Sequence, residues 1–229
     1  MKIFASDYDG TFIRSNAPQG ELEENIWQVA RWREAGNLFV FATGRDMPDL
    51  IDYLSEGLIC DYLVCINGGL VATGAGEIIF AEIIPQHTAD EIMSMIRENG
   101  IKNPWISNIT KNGPGKIAFA MDTPEAAYEM ADVFKRRFED RVTIFSNEQC
   151  VDITALGVTK ATGIAMIAER HNIPDDDIYC IGDSHNDVPM LRAYTGFTLP
   201  GVDDVVRAAA AEVYGSVGEV VFTLLTIQV

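Results

Sequence analysis

The feature that most constrains this chain is a set of short stretches that are apolar throughout rather than at alternate positions. Ile3 to Ser6, Leu38 to Ala42 and Leu63 to Ile66 show almost no polar face. A strand of that kind must be covered on both sides, which is the habit of parallel sheets, whereas antiparallel sheets tolerate one wet face. Between the first two runs, Leu22, Ile26, Val29 and Ala30 recur at helical spacing, and Gly36 stands where a helix cap is expected. Asp46 with Pro48 opens a further short helix, and the third run ends at Asn67-Gly68-Gly69. Strands alternating with helical patterns predict crossover connections and an α/β fold.

The alternation resumes late, with a helix over Lys160 to His171 and a strand over Ile178 to Ile181. The middle reads differently. A strand around Ile83 precedes a helix with Ile92, Met95 and Ile96 on one face, then come a strand over Ile117 to Ala120 and a helix over Pro124 to Phe138. Two short strands around Val142 to Phe145 and Val151 to Ile153 complete a small layer of mixed strands and helices. The expected organisation is therefore a core domain of residues 1–79 and 154–229 with an α+β domain of residues 80–153 inserted into it.

Charge and hydropathy narrow the function. The 229 residues carry 34 acidic against 17 Lys and Arg, a net −17, which is the wrong sign for a protein that neutralises nucleic-acid phosphates. No apolar run approaches the ~20 residues of a membrane span, and the N-terminal apolar stretch is too short for a secretory signal. A cytoplasmic location with no membrane partner is expected. Cys60, Cys65, Cys150 and Cys180 lack C-x-x-C spacing and read as reduced thiols.

Four clusters carry candidate chemistry, each at the end of a strand or the start of a helix. Asp7-Tyr8-Asp9-Gly10-Thr11 places two carboxylates two apart, with a glycine that lets the chain turn. Alone it is either a ligand-binding turn or an acidic turn closing a strand. Thr43-Gly44-Arg45 offers a hydroxyl and backbone N–H groups suited to phosphate oxygens, or an ordinary helix cap. Lys160 begins a helix, where the dipole disfavours a cation; it is paired with an anion or it is a solvated first-turn residue. Gly182-Asp183-Ser184-His185-Asn186-Asp187 holds hard oxygen donors of the type Mg²⁺ takes, or is an Asx-rich cap.

In motif order and in the position of the insert, the whole chain resembles the haloacid dehalogenase-like (HAD) superfamily, specifically its Cof-type phosphatases. Motif one is D-x-D-G-T at Asp7 to Thr11, motif two supplies Thr43, motif three Lys160, and motif four is G-D-x-x-N-D at Gly182 to Asp187. Departures are Ala161 after the lysine, where the family often has Gly, and Leu199-Pro200-Gly201-Val202 in place of a common Asn-Ala. The resemblance implies a Rossmann-like core with an inserted cap, Asp7 as nucleophile and Asp9 as general acid and base. It further implies Mg²⁺ held by Asp7, Asp9 (through its carbonyl), Asp183 and Asp187, with phosphate bound by Thr43, Gly44 and Lys160. Arg45 and Asn186 are possible substrate contacts.

The expected activity is hydrolysis of a small phosphorylated metabolite, a sugar phosphate or phosphoglycolate-like acid. A phosphosugar mutase is the enzyme alternative and a receiver-like phospho-signalling domain the alternative of another class, although receivers lack a large insert. Oligomeric state is not legible. In the insert, Lys111 and Lys116 flank a Gly- and Pro-rich segment that reads either as a solvated hairpin turn or as a substrate contact. Lys135-Arg136-Arg137 late in a helix complements the dipole. His87, His171 and His185 show no spacing for a metal triad, and Trp27 and Trp32 read as packing residues.

Overall fold

A computed structural model of the chain describes residues 1–50, 59–110, 113–147 and 149–226. Its larger sheet has eight strands in the order β12-β11-β10-β1-β2-β3-β4-β5. They are β1 (Ile3–Ser6), β2 (Leu38–Ala42), β3 (Tyr62–Cys65), β4 (Leu70–Thr73), β5 (Ile78–Ala81), β10 (Ile178–Ile181), β11 (Thr195–Thr198) and β12 (Glu212–Val213). The strands from β12 to β3 are parallel, and β4 and β5 add antiparallel turns at one edge.

The apolar-throughout strands are buried on both faces, as their composition requires. Phe4, Phe39 and Phe41 pack with Trp32 of α1 (Glu21–Glu34) and Val220 of α5 (Val217–Thr226). Ile3, Ala5, Val40 and Cys180 project the other way, against Ile164 and Ile167 of α4 (Lys160–His171). Ser6 pairs with both Phe41 and Ile181, so the central strands end flush and the loops after β1, β2 and β10 meet at one edge. β1 lies between β2 and β10, where the strand order changes direction. Open α/β sheets bind ligands in the crevice at such a point.

The second sheet, β6-β7-β9-β8, is wholly antiparallel and lies between β5 and α4 in the chain. It comprises β6 (Trp105–Thr110), β7 (Gly113–Ala120), β8 (Val142–Asn147) and β9 (Cys150–Ala155). One face buries Phe119, Val151 and Ile153 against α2 (Gln86–Glu98) and α3 (Pro124–Phe138). Because strand side chains alternate, Trp105, Ser107, Lys116, Asp152 and Thr154 share the opposite face.

Several expectations need correction. The strand expected around Ile83 is β5, ending at Ala81, and β4 and β6 are additional strands. β4 follows two glycines with only four residues, and β6 is an edge strand with an irregular register, so neither gives a clean periodic signal. Trp32 is fully buried, but Trp27 is 54% exposed, with the Arg31 guanidinium 4.9 Å over its ring. The helix expected after Asp46 is seen over residues 48–50, and residues 51–58 lie outside the described residues. Cys60, Cys65 and Cys180 are free thiols, and burial pushes those of Cys60 and Cys65 up to about 12, so neither of these two is a thiolate near neutral pH. Among the described residues, no helix is long and apolar enough to cross a membrane.

Candidate active site

Asp7 sits one residue past β1, its N–H donating to the Ile181 carbonyl at 2.9 Å, which continues the ladder with β10. Gly10 then takes a left-handed φ of +79°, and a Cβ there would lie 2.6 Å from Asp183 Oδ2. The turn therefore needs glycine both for its conformation and for the approach of motif four. At Gly182 a Cβ would stand 2.4 Å from the Asp187 carboxyl carbon, so that loop also closes only without a side chain.

The three carboxylates of Asp7, Asp183 and Asp187 each place an oxygen within 4.8 Å of the others. Lys160 binds two of them, its Nζ 2.5 Å from Asp7 Oδ1 and 2.5 Å from Asp187 Oδ1. The solvated first-turn reading of Lys160 is thus incorrect: the side chain is fully buried. Thr159 caps its helix through a reciprocal bond with Thr162, which fixes where Lys160 enters the site. Asp187 Oδ2 accepts the N–H groups of Asp183 at 3.0 Å and Ser184 at 2.9 Å. Thr11 Oγ1 donates a short hydrogen bond to Asp183 Oδ1.

Burial raises the Asp7 carboxyl well above the ordinary carboxylate range, Lys160 opposes that, and the like charges of Asp187 and Asp183 add to it. Asp183 is raised too, by burial and then by Asp187. Burial works against the charge on Lys160, but Asp187 and Asp7 together outweigh it and hold the ammonium above its usual value. Three carboxylates against one ammonium leave two negative charges, which is the charge a divalent cation balances. Asn186 Oδ1 is buried beside this cluster with no hydrogen-bond partner among the described residues. A hard oxygen donor set with an orphaned amide oxygen next to it fits a hard divalent ion.

Thr43 follows β2 and is 1% exposed; its hydroxyl oxygen accepts the Arg45 N–H at 3.1 Å, leaving its own proton for an anion. Arg45 forms a fork with Asp9, Nε to Oδ2 at 2.6 Å and Nη2 to Oδ1 at 2.7 Å, so the Asp9 side chain turns outward rather than into the acidic cluster. Lys116 corrects the hairpin-turn reading. It lies within β7, 6% exposed, and its Nζ donates to the Gly44 carbonyl at 2.6 Å, 3.9 Å from Asp152 Oδ1. Lys111 lies outside the described residues.

Two residues not singled out from the sequence complete the site. Asn67, left-handed at φ 53°, donates to Asp152 Oδ2 at 2.9 Å and accepts from Asn186 Nδ2 at 3.0 Å. A polar chain thus runs from the second sheet to motif four. The Asn-Gly-Gly turn signalled a special backbone at Asn67, and Asp152 signalled itself as a charge between Val151 and Ile153. A cavity of about 340 Å³ opens here, lined among others by Asp7, Asp9, Thr43, Arg45, Lys116 and Asp152. A larger one of about 660 Å³ lies on the far side of Asp183, toward Tyr128 and His185, and does not reach Asp7 or Thr43.

The sequence profile of the haloacid dehalogenase-like hydrolases matches residues 4–112 and 100–219, nearly the whole chain. The chain belongs to this HAD-like family. It is therefore an enzyme of the HAD hydrolase type, in agreement with the resemblance of its four motifs. Among curated proteins, it is 24% identical over 225 residues to a 5-amino-6-(5-phospho-D-ribitylamino)uracil phosphatase of Bacillus subtilis, covering 92% of this chain and 88% of that protein. A phosphoglycolate phosphatase of Nitrosopumilus maritimus is 25% identical over 217 residues, covering 91% and 87%. Among solved structures, a HAD-superfamily phosphatase of Bacteroides thetaiotaomicron superimposes with a TM-score of 0.80 at 20% identity, covering 99% of this chain and 94% of the other. That solved structure shares the overall fold of this chain.

Proposed function

We propose that this HAD-like hydrolase is a Mg²⁺-dependent phosphomonoesterase acting on a small phosphorylated metabolite through an aspartyl-phosphate on Asp7. The carrying observation is the placement of Lys160 between Asp7 and Asp187, with Asp183 beside them. A carboxylate attacks a phosphate dianion only where negative charge is offset. Lys160 supplies one positive charge, and Asp7 and Asp183 with the Asp9 carbonyl are the groups that would hold the cation. The ion, when bound, reduces repulsion between nucleophile and phosphoryl group and stabilises charge in the transition state.

Asp7 forms the new O–P bond as the bond to the leaving oxygen breaks. Asp9, once its carboxyl has left Arg45 and taken up a proton from solvent, gives that proton to the leaving oxygen, then takes one from the water that hydrolyses the aspartyl-phosphate and restores the Asp7 carboxylate. Thr43 and the Gly44 N–H bind equatorial phosphoryl oxygens, with Arg45 and Asn186 at the rim. Asp187 acts through others: one oxygen anchors Lys160 and the second holds the motif-four amides in place. Residues 80–153 serve as a cap domain that closes over the leaving group.

Phosphate release from a panel of phosphomonoesters, with and without Mg²⁺, tests this reading. Asp7→Asn is expected to lower turnover by about 10³-fold or more while keeping the fold, as loss of other covalent nucleophiles does. Near-normal turnover in that variant removes the nucleophile assignment. A product that retains its phosphate, with no inorganic phosphate formed, indicates the mutase outcome instead.

A further inference from the structure

The hydrogen bonds that join the second sheet to motif four form a relay with a direction. Asp152 of β9 is buried, and an ionised carboxylate accepts hydrogen bonds without donating them. The Asn67 group 2.9 Å from Asp152 Oδ2 is therefore its amide N–H, which leaves the Asn67 oxygen for the next link. That oxygen accepts from Asn186 Nδ2 at 3.0 Å. Asn186 Oδ1 is left over, buried and without a partner among the described residues, one position before Asp187 in a residue that lines the same cavity as Asp7. An acceptor at one end of two amides thus decides that an oxygen, and not an N–H, is presented at the other.

The relay is closely held. Asn67 donates its backbone N–H to the Thr43 carbonyl at 2.9 Å, so its side chain is aimed from a fixed point. A Cβ on Gly44 would stand 3.2 Å from Asn67 Oδ1 and 3.5 Å from Asp152 Oδ2, which places the relay directly against the turn after β2. Lys116 stands outside it, 3.9 Å from Asp152 Oδ1, whereas the relay uses Oδ2. Asn67 and Asn186 belong to the core, and Asp152 belongs to the inserted sheet. A residue of the insert therefore sets the polarity of a core amide beside the acidic cluster. Without its carboxylate, both amides can turn over, and Asn186 then presents Nδ2 as readily as Oδ1.

The two orientations favour different neighbours. An amide oxygen suits a hard divalent cation and the O–H groups of the water that Mg²⁺ tends to keep around it, whereas an amide N–H is repelled by both. We propose that Asp152 and Asn67 are positioning residues that act through Asn186 to raise the affinity of the acidic cluster for a divalent cation. The proposal rests on the Mg²⁺ site described above and extends its control to residues outside the four motifs.

Mg²⁺ binding to the metal-free protein, measured by titration calorimetry with no substrate present, tests it. Asp152→Asn keeps the shape but can donate as well as accept, and Asn67→Gly removes the amide while tolerating the left-handed backbone. Each is expected to weaken Mg²⁺ binding by about tenfold or more, the scale for partners that orient a metal's ligands. Asp49→Asn removes a charge from the wall of the same cavity and leaves the relay intact, so its effect is expected to stay below about threefold at moderate salt. In an Asn186→Ala background, adding Asp152→Asn is expected to cost nothing further, because the relay is already broken. If Asn67→Gly does not fold, Asp152→Asn with and without Asn186→Ala carries the same test. Three results each overturn this inference alone: Asp152→Asn binding within about twofold of wild type, a loss no larger than in Asp49→Asn, or a loss undiminished in the Asn186→Ala background. A wild-type protein that binds no Mg²⁺ overturns the metal site and this inference with it.

Discussion

Two buried lysines reach the catalytic edge from opposite sides, and they are held differently. Lys160, from the core, is fully buried between two carboxylates at 2.5 Å each. Lys116, from the inserted sheet, reaches a neutral carbonyl at 2.6 Å, and its nearest carboxylate is 3.9 Å away. The first is part of a charge balance, and its removal strands buried anions. The second ties the inserted sheet to the turn after β2, and its removal loosens a contact. Lys160→Met is therefore expected to have the largest effect, a destabilisation of about 3–5 kcal/mol, since breaking a buried pair leaves an uncompensated charge. Thermal or denaturant unfolding reads it, and wild-type stability in that variant would break the distinction.

Metal addition probes the core side of the comparison. Saturation at about 100 times Kd stabilises a folded protein by roughly 2.7 kcal/mol. The pH dependence has a definite sign. Asp7 and Asp183 have folded-state carboxyls raised above their unfolded value, so the metal-free fold binds more protons than the unfolded chain. Their contribution is fully present below the unfolded carboxylate pKa and is lost as pH rises through the raised folded values. A cation competes with those protons, so the gain in Tm from Mg²⁺ is expected to grow as pH rises toward neutrality. It persists in Lys116→Met and disappears in Asp183→Asn. A pH-independent gain would show that the ion binds elsewhere.

On the side of the insert, Lys116→Met is expected to lower kcat/KM by about 10–100-fold, the scale of a small displacement of a positioning element. Its stability loss is expected to be smaller than that of Lys160→Met, about 1–3 kcal/mol for one buried carbonyl left without its donor. Steady-state kinetics alongside unfolding separate the two quantities. A stability loss as large as that of Lys160→Met would mean that Asp152 depends on Lys116 as Asp7 depends on Lys160.

The same division explains what the sequence made legible. The core motifs follow continuous apolar strands, so register carries Asp7, Thr43 and Asp183 to one edge as soon as the sheet is recognised as parallel. Lys160 gained meaning only from its place in that order. In the insert, function depends on which face of an alternating strand meets the core, and alternation alone does not say which face that is. Lys116 was for that reason read as part of a solvated turn, although it is two residues from the buried Ala118 and shares its face. Asn67 and Asp152 are joined by tertiary contact across 85 positions, a separation that no local pattern encodes.

The smallest expected effect tests whether Lys116 acts through the turn it holds or merely through docking of the two sheets. Ser107, on the same face of the second sheet, donates to Asp46 Oδ1 at 2.6 Å and so bridges the same junction without touching the Thr43-Gly44-Arg45 turn. Removing its hydroxyl in Ser107→Ala deletes one cross-junction hydrogen bond, for an expected loss of about 0.5–1.5 kcal/mol. If the junction matters only as a sum of such bonds, the two variants lower kcat/KM in proportion to their stability losses. If the Lys116 contact matters because Gly44 presents its N–H to the phosphoryl group, Lys116→Met loses far more activity per unit of stability than Ser107→Ala does. Parallel kinetics and unfolding on the two variants decide between them, and equal ratios would reduce Lys116 to a docking contact.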